Sequence, residues 1–155
     1  MPGYYDEIDL SFGWNGDLQQ SSGDVKDTSS DSLQSLLDQI HSIAASMFGD
    51  WDIYPNRAAG LDDFIGEPNT RFTGDRLRER MFISLVGAEL VDQDDLDVRV
   101  IPVHINKVLI VVKIYALPTA FNQLESGKAL QTTIVFDSLE QQVFFLDKTP
   151  RLINV

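Results

Sequence analysis

Two hydrophobic periods divide this chain, and the switch between them limits its fold more than any other feature. Over 31–48 the apolar residues Leu33, Leu36, Leu37, Ile40, Ile43, Ala44 and Met47 are spaced by three and four, which lays one apolar stripe along a helix. Gly49 follows where such a helix stops. A short helical turn is expected over 61–65, closed by Gly66. A second long helix is expected from Thr73 or Gly74 to about Ala88, with Leu77, Met81 and Leu85 facing inward. Beyond the acidic stretch 92–97 the pattern becomes β-branched, with Val98, Val100 and Ile101 before Pro102, and a further apolar run over 108–114. That predicts an antiparallel hairpin, with Pro102 at an edge or bulge because it has no N–H for a ladder. Two more strands are expected over 130–136 and 143–146. Helices first and strands later indicate an α+β fold, two main helices on a mostly antiparallel sheet formed by the second half.

The start of the chain carries a separate signal. Ile8, Leu10, Phe12 and Trp14 alternate with Asp9, Ser11 and Gly13, and Asn15-Gly16 follows at once. This predicts a small β-hairpin returning through 17–19. Residues 20–32 are rich in Ser and Asp and read as a loop, with Thr28, Ser29 or Ser30 as helix caps. The 155 residues suit one domain, organised as hairpin and loop over 1–30, a core over 31–116 and a β-rich extension over 117–155.

Charge and composition exclude several functions. There are no cysteines, so disulfides, thiolate metal sites and cysteine nucleophiles are absent. The N-terminus does not read as a signal peptide. The apolar run broken by Lys113 is far shorter than the ~20 residues of a membrane helix. Of the net charge of −12, residues 1–70 carry 13 acidic and 2 basic side chains, and the remainder carry 11 and 10. Such a surface repels phosphate backbones, so nucleic acid is not an expected partner, whereas a basic protein face is complementary; the short apolar run leaves no membrane partner expected either.

No residue set points to catalysis. His41 and His104 lie on different predicted elements with no second ligand at helical spacing, which argues against a metal site or a general base. No Gly-x-Ser-x-Gly elbow occurs. The run from Asp92 to Asp97 begins like a calcium loop, but Leu96, Asp97 and Val103 stand where an oxygen ligand, glycine and glutamate are needed. No cofactor is expected. Arg71, Arg76, Arg78 and Arg80 crowd the start of the second helix, where the macrodipole prefers carboxylates. They should pair with the acidic first half or with a neighbouring subunit. Gly49, Trp51, Pro55, Gly60, Leu61, Phe64 and Gly66 mark the most distinctive stretch. It reads as a packed connector in which Trp51 is an aromatic anchor, Pro55 a rigid point, and Leu61 and Phe64 face inward.

That stretch resembles the sheath initiators, baseplate wedge proteins of contractile phage tails with relatives in type VI secretion baseplates. The resemblance runs from about Asp9 to Ile114. It joins Gly16-Asp17-Leu18 and Gly23-Asp24-Val25, an amphipathic helix, Gly49-Asp50-Trp51, Pro55, Gly60-Leu61, Phe64-Ile65-Gly66, a second helix and a strand pair. A Glu-Pro-Arg signature typical of the family falls at Glu89-Leu90-Val91, where the glutamate alone is kept. The resemblance implies a non-enzymatic virion protein with a sheath-subunit-like core, several copies of which join baseplate to tail in a ring with wedge proteins. Sheath assembly would begin by strand exchange with the first sheath ring. Expected interface residues are Glu89, Arg76, Arg78, Arg80, Val108 and Ile110. The alternatives are a carboxylate-dependent peptidoglycan hydrolase and a general acidic adaptor.

Overall fold

A computed structural model describes Leu10 and residues 17–25, 32–54, 57–117, 124–140, 142–147 and 149–155. The hairpin expected around Asn15-Gly16 and the residue Pro55 lie outside these. Two short strands, β1 (Gln20–Ser21) and β2 (Asp24–Val25), pair antiparallel within the stretch expected to be loop. Ser22 and Gly23 turn between them at φ 54° and 86°, the left-handed pair that a tight hairpin turn uses.

Helices α1 (Ser32–Ala45) and α2 (Arg71–Gly87) precede β3 (Leu96–His104), β4 (Lys107–Ile114), β5 (Lys128–Asp137), β6 (Gln142–Phe145) and β7 (Arg151–Asn154). The last five strands form one antiparallel sheet in the order β3-β4-β5-β6, with β7 also on β5. The fold is therefore α+β, as the change of period requires. Among the described residues no helix is long and apolar enough to cross a membrane.

Alternation along the strands decides which face the helices cover. On one face the register aligns Val100, Ile110, Ile134 and Phe145, and beside them Val98, Val112 and Thr132. Leu36, Ile40 and Ile43 of α1, and Leu77, Met81 and Leu85 of α2, join this face in the core, each almost wholly removed from water. His41 of α1 lies against β5 and β6: its Nε2 is 3.2 Å from Thr132 Oγ1, and its ring stacks on Phe145 at 4.0 Å.

Element ends differ from expectation where side chains intercept the backbone. Helix α1 stops at Ala45, short of Phe48. The Ser46 N–H turns back to the Ile43 carbonyl, and the Met47 N–H donates to Asp50 Oδ2, so the last expected turn is lost and Met47 is exposed. Gly49 sits in the following turn at φ 94°. Helix α2 begins at Arg71, before Thr73, because Thr70 caps it by accepting the Thr73 N–H at 3.2 Å. Pro102 does lie on an edge strand beside a register shift between Pro102 and His104, as its missing N–H demands. Strand β7 was not expected.

Asp137 closes the turn after β5. Burial pushes its carboxyl pKa up, but the N–H groups of Glu140 and Leu139 and the Lys107 ammonium outweigh that and hold it below the usual carboxylate range.

Truncating Leu36 or Leu85 to alanine should cost about 2–5 kcal/mol, from lost transfer energy plus the cavity left behind. Urea denaturation of both variants measures this. Losses under about 0.5 kcal/mol at both sites, the range of ordinary surface substitutions, would mean that the helix faces are misassigned.

Candidate functional site

The connector between the helices is tied down at both ends by backbone hydrogen bonds. Ala59 and Gly60 N–H groups donate to the Ile43 and Ser46 carbonyls, and Gly66 N–H donates to Ser138. The Ser84 hydroxyl of α2 reaches the Ala58 carbonyl. Leu61 and Phe64, on a 3-10 turn spanning Leu61–Phe64, are buried as expected. Gly66 then reverses the chain at φ 81°.

Trp51 does not anchor this connector. It is 39% exposed, its indole N–H donates to Ser46 Oγ at 3.2 Å, and the Arg57 guanidinium lies 5.4 Å from its ring centre. Asp50 and Gly49 turn the chain outward before it, so the indole lies over the helix end and not in the core. With Met47, Phe48, Ile53 and Tyr54 it forms an exposed, aromatic-rich surface.

Arg76 and Arg80 of α2 extend this surface. Arg80 lies 4.7 Å from the Phe48 ring and pairs with Asp63 at 3.1 Å. Arg76 lies 4.8 Å from the buried Phe64 and 5.6 Å from the exposed Phe72, and pairs with Glu67 at 2.9 Å. The paired acids belong to the acidic first half, as the intrachain reading of the arginine cluster required. Each ion pair is partly solvated and contributes well under about 1 kcal/mol. Stacking on the rings adds a comparable amount and holds the guanidinium planes in place. Trp, Tyr, Phe, Met and Arg are the residue types enriched in protein interfaces. Phe48 and Phe72 were not singled out in the sequence; the contact of Phe48 with Arg80 joins segments that only the fold brings together, whereas Phe72 and Arg76, four apart on α2, were open to discovery from helical spacing.

The other expected interface residues fall elsewhere. Val108 and Ile110 are buried on β4, which pairs with β3 on one side and β5 on the other. They belong to the core, and neither β4 nor β5 offers an edge. Arg78 points away from Arg76 and Arg80, and its Nε donates to the Val98 carbonyl at 2.9 Å. Glu89 occupies the left-handed region at φ 58° in the turn after α2, with Leu90 and Val91 buried beside it.

The Arg78 bond identifies an edge. The Val98 carbonyl faces away from β4, and hydrogen-bonding direction alternates along a strand, so Val100 presents its N–H and C=O outward too. No described strand pairs with this side of β3. A groove of about 330 Å3 runs beside it, bordered by Arg71, Gly74, Asp75, Arg78, Val100 and Pro102.

Burial lowers the His41 pKa to about 4, so the ring is neutral near pH 7, and its neighbours are a threonine and a phenylalanine ring. Among the described residues no three His, Cys, Asp or Glu side chains are placed to hold a metal ion.

Two predictions follow from this geometry. Gly60 adopts φ 60°, and a Cβ there would overlap the Phe48 ring. Gly60→Ala should cost about 1–2 kcal/mol through its left-handed backbone and displace Phe48 from Arg80. A double-mutant cycle with Phe48→Ala should show coupling, and strict additivity would contradict the packing. His41 supplies the second. Its folded pKa of about 4 lies below its ordinary 6.5, so its contribution to stability is complete above pH 6.5 and is lost as pH falls toward 4. Full protonation costs on the order of 3 kcal/mol. His41→Phe should remove that part of the pH dependence, measured as unfolding free energy at stepped pH. Parallel wild-type and variant curves would disprove it.

Comparison with protein-family models, curated proteins and solved structures finds no match to this chain.

Proposed function

We propose that this chain is a non-enzymatic structural subunit of a contractile tail baseplate, which starts sheath assembly by accepting a strand from the first sheath ring. The observation that carries the reading is the outer side of β3, where the Val98 N–H and both backbone groups of Val100 face away from β4 with no described strand against them, while the Val98 carbonyl takes the Arg78 guanidinium. An unpaired edge is a template for an incoming strand, with backbone bonds giving affinity and alternate side chains giving specificity. Strand β3 has nine residues, whereas β6 and β7 have four each, which makes β3 the longer platform.

The rest of the surface suits a subunit held among several partners. The aromatic and arginine surface of the connector and α2 has the composition of an interface core. Wedge proteins are the proposed partners there, and copies of the chain would be arranged in a ring within the virion. The acidic first half favours basic neighbours and fast encounter more than long residence. The sequence resemblance to sheath initiators supports this choice of assembly, and the edge offers a physical means.

Tails assembled without this protein should show baseplates and tubes lacking sheath by electron microscopy. Normally sheathed tails would refute the reading. Within the protein, Val100→Pro removes one outward N–H and no ladder bond, so it should fold yet fail to recruit sheath. Ile110→Pro, on the central β4, should abolish folding as read by circular dichroism.

A further inference from the structure

The central strand is apolar on both faces. Val108, Leu109, Ile110, Val111 and Val112 run without a polar break, the pattern of a strand covered above and below. Among the described residues the helices cover only the face of Val108, Ile110 and Val112. On the other face the register aligns Ile101, Leu109, Val135 and Phe144 across four strands. Ile101 and Phe144, at the two ends of that row, are 45% and 42% exposed. Val111 lies in the next row, between Arg99 and Thr133. An antiparallel sheet with a solvated face ordinarily alternates apolar and polar residues, and these strands depart from that rule where they cross the middle of the sheet.

Charge narrows what covers this face. One row further along, Asp97, Lys113, Gln131 and Arg151 align. Arg99 pairs with Asp97 and Lys107 with Asp137. Among the described residues Lys113 and Arg151 form no ion pair. In a chain of net charge −12 this face is locally basic. Two copies packed face to face would therefore oppose like charges, and an acidic partner is complementary. Backbone chemistry limits the partner further. The sheet's N–H and C=O groups lie in its own plane, so an extended segment laid on the face would leave its backbone unpaired, whereas a helix satisfies its own. The apolar row spans about 14 Å at the usual strand spacing, wide enough for one helix of roughly 10 Å diameter.

We infer that the open face of the sheet, centred on Leu109, Val111 and Val135, binds an amphipathic helix of a partner protein whose apolar stripe is flanked by acidic residues. This surface is separate from the β3 edge and does not rest on the sheath reading.

The test uses the full chain and two synthetic amphipathic peptides of ~18 residues (about 27 Å as helix), identical except that one carries Glu and the other Lys beside a leucine stripe. Residue-resolved NMR should map the Glu peptide to Ile101, Leu109, Val111, Val135 and Phe144. The Glu peptide should bind at least about tenfold more tightly than the Lys peptide. Phe144→Ser, on a short edge strand, should weaken it about tenfold. The double variant Lys113→Glu with Arg151→Glu, which leaves the apolar row intact, should remove the preference for Glu. Absent binding, equal affinity for both peptides, or shifts confined to α2 would overturn the proposal. So would concentration-dependent dimerisation through this face in sedimentation velocity, which would make a second copy the occupant.

Discussion

The architecture depends on burying one face of a five-stranded sheet beneath two helices. Helix α2 lies along β3, and α1 reaches β5 and β6 through His41. Each fully buried Leu, Ile or Phe contributes roughly 1.5–3 kcal/mol before the entropy of ordering it, so this layer governs whether the domain folds. It also fixes what stays outside. With one face spent on the core, the second face, the β3 edge and the outer side of α2 carry no further element among the described residues.

The connector converts that layer into a surface. Its backbone bonds to Ile43, Ser46 and Ser138 hold Leu61 and Phe64 in the core, while the same segment raises Phe48 and Trp51 outward. Arg76 and Arg80 link the two sides, each touching the buried Phe64 ring and an exposed ring. A guanidinium can do both because its charge stays hydrated at the edge while its plane stacks on an aromatic face. A surface built in this way is largely preformed, which would lower the ordering cost of the binding proposed for it.

Much of this fold was legible in the sequence because burial and period are coupled. The spacing of Leu36, Ile40, Leu77, Met81 and Leu85 placed both helices on the sheet, and Pro102 was rightly put at an edge or bulge. What escaped was decided by side-chain hydrogen bonds or by strand order. Asp50 and Ser46 unwind the end of α1, Thr70 starts α2 early, and Arg151 to Asn154 make a strand too short for a pattern. Val108 and Ile110 read as core-facing from the sequence, and they are, but they carry the same β signal whether central or peripheral, so the lack of a free edge on their strand became evident only once β4 lay between β3 and β5. Trp51 was read as an anchor from its aromatic type within a connector, but the turn at Gly49 carries it out of the core.

The central claim is that β3 offers an unpaired edge to another chain. Amide hydrogen exchange, read residue by residue in the isolated protein, addresses it directly. The Val98 and Val100 amides should exchange far faster than those of Arg99 and Ile101, which face β4, and should become protected when the protein is incorporated into the proposed baseplate assembly. If Val98 and Val100 are as protected in the isolated chain as Ile110 and Val112, the edge is already occupied and the account fails.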